Sequence, residues 1–368
     1  MPNYHDLRPK ADYEERGYPL VFPKMGVAEK KRTIAGLLRL RAGLAEVATK
    51  KTDNNLLVAS WNIKEFGHTT QRLNEAYFYI AEAISAFDLV AVQEIKSTLV
   101  DLDILMRLLG DGWAYVINDV TNGRDGNAER GAYLFNRDRV KLAGLAGEIT
   151  LWDELTKDRD VKQLKRTPYI TGFQAGWKSF AMINLHLHPG DSKADLAHRQ
   201  AEVKLLLDAF TEKRKRGHFW TENLILVGDF NFYNTDAETV QMIEDSGFFQ
   251  IVSLDGLDTN ASKTEAYDRF FLTRNDYFKI EKSAQGVELA GVFDPFQYVY
   301  QDDHYKPYRP TMLKQYGGKK DLANDDAALQ RYYKNPWRKN QISDHFPIWF
   351  TLCIDSSDQF LEQKLAAL

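Results

Sequence analysis

The sequence predicts an α/β fold, a four-layered sandwich in which two packed mixed β-sheets are flanked by helices. Short apolar runs typical of buried strands alternate along the chain with longer stretches that have helical periodicity. The predicted strands are 56–60, 89–92, 181–185, 223–227 and 348–352, and the clearest helices are Gln71–Ala86, Val100–Leu109 and Ala194–Phe210. With 368 residues, of which 44% are hydrophobic, the chain can bury such a core as one large domain.

The predicted strands begin or end at residues that can bind a metal ion or carry a proton. These residues are Asn62, Glu94, His186, Asp229 with Asn231, and, just before the last strand, Asp344 with His345. Carboxylate and amide oxygens suit Mg²⁺, Mn²⁺ or Ca²⁺, whereas a zinc site more often uses Cys or several closely spaced His. Two imidazoles beside such an ion suit proton transfer near neutral pH.

Each of these residues alone has an ordinary structural explanation, because Asp and Asn frequently cap helices and form turns. The tripeptide Ser-Asp-His at 343–345 is also short enough to occur by chance. The complete set in its order along the chain is what indicates a site.

In that order, the motifs resemble those of the endonuclease/exonuclease/phosphatase superfamily, and most of all its deoxyribonuclease I branch. The resembling segments are WNIKEFG at 61–67, VQEI at 92–95, ERGAYLF at 129–135, LHLHPGD at 185–191, GDFN at 228–231, AYDRF at 266–270 and SDHFP at 343–347. The resemblance covers about residues 54–352 and implies the four-layered sandwich and hydrolysis of phosphate esters.

The resemblance also implies which residues hold a metal ion and the reacting oxygens. Glu94 and Asn62, with Asp344 nearby, are expected to hold a divalent ion, Mg²⁺ in the first place and Mn²⁺ or Ca²⁺ as alternatives. Asp229 and Asn231 are expected to hold the nucleophile and the transition-state oxygens. The ion would act as a Lewis acid on the phosphate.

Two histidines are expected to move protons. By resemblance, His345 is oriented by Asp268 and takes the proton from water, whereas His186 is oriented by Glu129 and acts on the opposite side of the phosphate. His188 is the weaker match to the same motif. Positioned acid–base groups typically contribute about 10²–10⁴-fold each, so replacing either histidine is expected to be severe.

Three further residues are expected to contact the substrate. Arg166, in KRTP at 165–168, matches an Arg that approaches the phosphate in the nuclease branch. Lys96 and Asn127 stand where that branch uses an Arg and a Tyr in the DNA minor groove, so contacts to a duplex are expected to differ.

A metal-dependent endonuclease acting on DNA is therefore the first hypothesis. A phosphoesterase acting on a small or lipid phosphate, such as an inositol phosphate or a sphingomyelin-like diester, is the alternative. A third hypothesis, a binding module with a vestigial site, is disfavoured by the full ligand set.

Three regions are expected to lie outside this core. Residues 1–53 form an N-terminal extension with a basic amphipathic helix, residues 353–368 form a tail, and about 292–341 is an aromatic and basic insertion within the catalytic domain, 54–352. The helix is expected to pack onto the domain or to contact nucleic acid or a partner. The insertion is expected to pack itself down or to stack single-stranded bases between its cations.

Net charge and cysteine content bear on how the protein attracts nucleic acid and on where in the cell it is located. The net charge is −4 with a sequence pI near 6.1, so no global positive field attracts nucleic acid. Cys353 is the single cysteine, whereas secreted deoxyribonucleases of the resembling branch rely on disulfides. The first twenty residues lack the apolar core of a signal peptide, and no run reaches the roughly 18 apolar residues of a membrane span. A cytoplasmic location is expected.

Overall fold

A computed structural model describes residues 2–9, 19–67, 71–120 and 127–368. The N-terminal extension expected over 1–53 therefore lies in part outside the described residues. Within these ranges the strands are β1 (Asn55–Phe66), β2 (Leu89–Lys96), β3 (Trp113–Ile117), β4 (Glu129–Asn136), β5 (Lys141–Glu148), β6 (Tyr169–Ala175), β7 (Lys178–His186), β8 (Leu224–Asp229), β9 (Phe248–Gln250), β10 (Asp268–Thr273), β11 (Ala290–Val292) and β12 (Ile348–Cys353).

The strands form two six-stranded mixed sheets, in the orders β11-β12-β1-β2-β4-β3 and β5-β6-β7-β8-β10-β9. The α-helices of the same ranges are α1 (Val27–Ala48), α2 (Asn74–Ser85), α3 (Val100–Leu109), α4 (Asp153–Thr156), α5 (Lys193–Lys215), α6 (Ala237–Asp245), α7 (Arg309–Gln315), α8 (Asp326–Tyr332), α9 (Arg338–Gln341) and α10 (Ser357–Ala367). All five predicted strands and all three predicted helices are present, so the predicted four-layered sandwich is confirmed.

Three apolar cores hold the layers together. The central core lies between the sheets, where Val58 and Phe350 of the first sheet meet Met182 and Val227 of the second. The outer face of the first sheet is covered by α1, α2, α3 and much of 292–341, and the outer face of the second by α5 and α6. Polar cross-links also join the sheets, since the Asn184 amide donates to the backbone carbonyl of Val92 at 3.1 Å.

Strand direction brings the candidate residues to one end of the sandwich. β1 runs parallel to β2 and β7 runs parallel to β8, so these four strands end on the same side. β4 and β10 are antiparallel to their neighbours β2 and β8 and therefore begin there.

Helix α1 and the segment 292–341 form one continuous cover on α2. Gly36 of α1 lies against the Tyr79 ring, where an added Cβ would come within 2.8 Å of three ring or hydroxyl atoms, and Gly43 lies equally close to Tyr298. The guanidinium of Arg39 donates to the Tyr298 carbonyl at 2.9 Å. These contacts make the helix part of the packed molecule.

The buried face of α1 differs in part from the apolar positions that its sequence offers. Leu37, Leu44 and Val47 are buried, but Ile34 and Leu38 are 39% and 65% exposed. The buried face also includes Thr33, Gly36 and Leu40, and at Gly36 the close contact with Tyr79 of α2 excludes a larger side chain. In the described ranges, no helix has both the length and the apolarity that a bilayer crossing requires.

Candidate active site

Asp229 lies at the centre of the candidate site because of strand register. It pairs with His186 on β7 and with Asp268 on β10, so three functional residues are side-by-side neighbours in one sheet. The preceding residue, Gly228, has φ +136°, and a Cβ there would lie 2.0 Å from the Leu185 carbonyl oxygen. Glycine is therefore required where β7 and β8 approach each other.

The two histidines face Asp229 symmetrically. Nε2 of His186 and Nε2 of His345 each lie 3.6 Å from Oδ2 of Asp229. The other carboxylate oxygen of Asp229 accepts a hydrogen bond of 2.9 Å from the backbone N–H of Asn231, and the Asn231 amide donates to the Leu187 carbonyl at 3.0 Å. This leaves both Nε2 atoms directed at one position above Asp229, where a reacting group can exchange protons with either ring.

Each imidazole is fixed by a carboxylate on its other nitrogen. Nδ1 of His186 lies 2.9 Å from Oε2 of Glu129, and Nδ1 of His345 lies 2.9 Å from Oδ2 of Asp268. The Thr259 hydroxyl donates to the same Asp268 oxygen at 2.6 Å. The structure thus brings together both histidine–carboxylate pairs that the sequence predicts.

The electrostatic surroundings of the two pairs differ. Burial alone would raise the pKa of Glu129, but contact with His186 and the charges of Arg166 and Lys96 outweigh it and lower the pKa to about 2. Burial alone would lower the pKa of His345, but Asp268, Asp229 and Asp344 surround the ring and raise its pKa well above the ordinary value. Glu129 is therefore a firmly ionised carboxylate.

Glu94 and Asn62 form the part of the site that suits a metal ion. The Asn62 amide donates to Glu94 at 2.9 Å and to Asp229 at 3.0 Å, and its own Oδ1 is buried with no hydrogen-bond partner in the described parts of the chain. A register shift between β1 and β2 falls at these residues, and Glu94 has φ +61°. The shift turns the carboxylate into the site.

The donor set fits a divalent ion that prefers oxygen. Glu94, Glu129 and His186 have ligand atoms within 4.8 Å of one another, and so do Asp229, Asp268 and His345. The buried, unpartnered amide oxygen of Asn62 is a ligand of the kind that Mg²⁺, Mn²⁺ or Ca²⁺ accepts. The residues present therefore fit such an ion.

Asp344 has a different partner from the one expected of it. Its carboxylate forms a 2.9 Å ion pair with Nζ of Lys64, rather than a contact with Glu94 or Asn62. Lys64 lies two residues after Asn62 in the motif 61–67, and its backbone N–H donates to Ser343 Oγ at 3.1 Å. Metal binding by Asp344 stays a prediction.

The three residues expected to contact the substrate converge on Glu129. Nζ of Lys96 donates to Oε1 at 3.1 Å, the Asn127 amide donates to the same oxygen, and Nε of Arg166 lies 3.3 Å from Oε2. Lys96 is buried and directly opposite Glu129 in the ladder of β2 and β4. In this geometry Lys96 and Asn127 support Glu129, and their contact with the substrate stays a prediction.

Sequence reasoning missed several supporting residues. The buried Gln93 amide donates to Asn184 at 2.8 Å, and Ser343 Oγ donates to the Asn62 carbonyl at 2.7 Å. The Tyr267 ring lies 5.7 Å from the His345 ring, centroid to centroid. Gln93 and Tyr267 adjoin the motif residues Glu94 and Asp268, so adjacency in sequence was the available signal.

The comparison with known families agrees with this geometry. The profile of the Endonuclease/Exonuclease/phosphatase family matches residues 59–280, which is more than half of the chain. The chain belongs to this family. Bovine deoxyribonuclease-1 is 27% identical over 249 residues, covering 64% of this chain and 82% of the relative. Rat deoxyribonuclease gamma is 26% identical over 316 residues, covering 81% and 84%.

A solved structure of an endonuclease/exonuclease/phosphatase family protein from Bacteroides thetaiotaomicron aligns over 82% of this chain and 98% of its own, with 16% identity and a TM-score of 0.49. Membership in the family supports hydrolysis of phosphate ester bonds as the activity.

Proposed function

We propose that this protein is a divalent-metal-dependent endonuclease that cleaves DNA, with Mg²⁺ as the expected ion and Mn²⁺ or Ca²⁺ as alternatives. The observation that carries the proposal is the pair of carboxylate-fixed histidines facing each other across Asp229, beside Glu94 and Asn62. The relationship to proteins named deoxyribonuclease supports DNA as the substrate.

The acidic floor of the site explains why an ion is needed. Glu94, Asp229 and Asp268 are carboxylates around the position where the phosphate must lie, and a diester anion would be repelled by them. Glu94 and Asn62 would hold the ion, which when bound supplies Lewis-acid polarisation of a phosphate oxygen. The chain's own residues must then place the water and move the protons.

The two histidines divide that work in our proposal. His345 takes a proton from the attacking water, because Asp268 fixes its Nδ1 and leaves Nε2 directed at the reacting position. The step needs the neutral ring, and a divalent ion held beside Asp229 would favour that form by opposing the carboxylates that raise the pKa of His345. His186 hydrogen-bonds or protonates the leaving oxygen on the other side, and Glu129 holds its ring. Asp229 and Asn231 position the water and the phosphate oxygens between them.

Plasmid cleavage tests the proposal. Supercoiled plasmid is incubated with the protein and Mg²⁺ or Mn²⁺, with and without chelator, and nicked and linear forms are followed on a gel. We expect cleavage by the wild type, none with chelator, and at least a hundredfold loss for His345→Ala and His186→Ala. His218→Ala changes an exposed histidine outside the site and serves as the matched control.

The second candidate is a phosphoesterase acting on a small or lipid phosphate. The turning of Lys96 and Asn127 onto Glu129 favours it, because neither side chain is then directed at a duplex. Plasmid that stays intact with every divalent ion, while the folded wild type hydrolyses small phosphate esters, would overturn the endonuclease proposal and support this candidate.

A further inference from the structure

The segment 292–341 does not provide the base-stacking surface that its aromatic content suggests. Tyr300, Tyr305, Tyr308, Tyr333 and Trp337 are all buried in the core on the outer face of the first sheet. What the segment does bring to the catalytic end is its last helix, α9, which ends two residues before Ser343.

Helix α9 is held rigidly against the site. Gln341 is fully buried, accepts a hydrogen bond of 2.8 Å from the Leu73 N–H and donates to the Gln71 carbonyl at 3.1 Å. Immediately beyond it, Ser343 Oγ donates to the Asn62 carbonyl. The backbone of α9 is therefore anchored close to the catalytic residues.

Lys339 is the cation of α9 that lies beside the His345 loop. Its Nζ donates to Ser262 Oγ at 2.9 Å. The neighbouring Ala261 N–H donates to the Asp344 carbonyl at 2.7 Å, so Ser262 and Asp344 belong to adjoining loops. The Lys339 ammonium is thus positioned by a neutral hydroxyl at the edge of the site.

The charge of Lys339 is less neutralised than that of its neighbours. Lys334 and Arg338 both pair with Asp302, at 2.7 Å and 2.6 Å. Across the described ranges, no carboxylate oxygen lies within 4.0 Å of Nζ of Lys339. Asp344, the nearby carboxylate, already pairs with Lys64.

The charges of Asp344, Lys64 and Arg338 affect the pKa of Lys339. Burial lowers the pKa of this ammonium group, Asp344 opposes the shift, and the charges of Lys64 and Arg338 lower the pKa further. Lys339 and the Lys64–Asp344 ion pair therefore lie close enough to interact, and Lys339, bonded to a neutral hydroxyl, keeps its charge available for an anionic group of the substrate.

We propose that Lys339, together with Lys64, binds the phosphate next to the one that is cleaved. The substrate would then be a strand with consecutive phosphodiesters, rather than an isolated phosphate ester. This inference rests on the proposed endonuclease function and adds a subsite supplied by the 292–341 segment.

Kinetics on two substrates test the subsite. The substrates are a single-stranded oligonucleotide and bis(p-nitrophenyl) phosphate, which has no neighbouring phosphate. We expect Lys339→Ala to lower kcat/KM for the oligonucleotide about tenfold, mainly through KM, because a hydrogen bond to a charged group is lost. The ratio of kcat/KM for the oligonucleotide to that for the small diester should fall with it.

Salt dependence gives an independent measurement. The plot of log kcat/KM for the oligonucleotide against log salt concentration should become shallower by about 0.7 when one phosphate contact to a single strand is removed. Lys339→Arg should restore most of the slope. Lys334→Ala, which removes a paired lysine from the same segment, is the matched control and should keep the wild-type ratio and slope.

The outcomes separate the two proposals. Equal losses on both substrates, or a wild-type ratio in Lys339→Ala, would overturn the subsite while leaving the endonuclease function standing. A wild type that hydrolyses bis(p-nitrophenyl) phosphate but neither plasmid nor oligonucleotide with any divalent ion would overturn the endonuclease function, and the subsite with it. Thermal melting of each variant identifies a loss that comes from unfolding.

Discussion

The division of labour between the two histidines gives the sharpest prediction. His186 and His345 match in distance and burial: each has Nδ1 at 2.9 Å from a carboxylate and Nε2 at 3.6 Å from Asp229, and their side chains are 10% and 11% exposed. Of the two Nδ1 contacts, the one between His345 and Asp268 has hydrogen-bond geometry. Each histidine should therefore contribute the full effect of a positioned acid or base, about 10²–10⁴-fold or roughly 3–5 kcal/mol of the activation barrier.

The leaving group distinguishes the two roles. DNA cleavage expels a strongly basic sugar oxygen, which needs a proton, whereas bis(p-nitrophenyl) phosphate expels a weakly basic phenolate. His186→Ala should lose about 10²–10⁴-fold on DNA but less than about tenfold on the activated diester. His345→Ala should lose on both substrates, because activation of water is required in each case.

The assay is steady-state kinetics of both variants on both substrates, with His218→Ala as the control. Reversed sensitivities would show that the roles are exchanged, and equal losses on both substrates would refute a division of labour.

The stability of the two variants should differ as well. Loss of His186 leaves Glu129 with Lys96 and Arg166, but loss of His345 removes a hydrogen-bond partner of the fully buried Asp268 carboxylate. The melting temperature should fall more for His345→Ala.

Three other changes have definite expected results. Asn62→Ala removes the unpartnered amide oxygen and should raise the Mg²⁺ concentration for half-maximal cleavage by about 10–100-fold, measured by titration; an unchanged titration would contradict the metal role. Lys96→Met should lower kcat with little change in the KM for DNA, because the ammonium supports Glu129; a raised KM at constant kcat would indicate a direct contact instead. Arg32→Met leaves the fully buried Glu75 without its cation and should lower the free energy of unfolding, measured by urea denaturation, by about 3 kcal/mol. This value is at the low end of the range for breaking a buried ion pair, because the Arg32 side chain is 30% exposed. Burial raises the pKa of Glu75 in the folded state, and Arg32 opposes this shift. Because of the raised pKa, the folded state binds more protons than the unfolded state, and it therefore loses stability as the pH rises. The stability of Arg32→Met should therefore fall more steeply above about pH 4 than that of the wild type, and parallel curves would refute the argument.

The sequence could predict the fold and the residues at the strand ends, because both depend on local patterns. An apolar run that stops at Glu94 or Asp229 predicts a buried strand, and it also predicts that the polar residue lies at the end of that strand. Parallel pairing of β1 with β2 and of β7 with β8 then places those ends on one side, as the alternation of strands and helices indicated.

Residue pairings between distant segments could not be predicted in the same way. Lys96 and Asn127 could be aligned with substrate contacts by resemblance, but their turn onto Glu129 depends on the ladder between β2 and β4. Likewise, periodicity predicts that α1 is amphipathic, but it does not predict that α1 and the segment 292–341 pack together on α2. The aromatic rings of that segment are buried by this shared packing, which no local pattern contains.

The distribution of charge around the site would let a chain whose net charge is −4 bind the phosphates of the proposed substrate. On one wall, Lys96 and Arg166 face the single carboxylate of Glu129, and on the other, Lys64 pairs with Asp344 while Lys339 bonds to the Ser262 hydroxyl. Each wall therefore carries one cation more than it neutralises, whereas the floor between them is acidic. In this reading the walls attract a polyanion and the floor accepts its phosphate only when a divalent ion is present. Salt should accordingly weaken substrate binding, whereas chelation should abolish the chemical step.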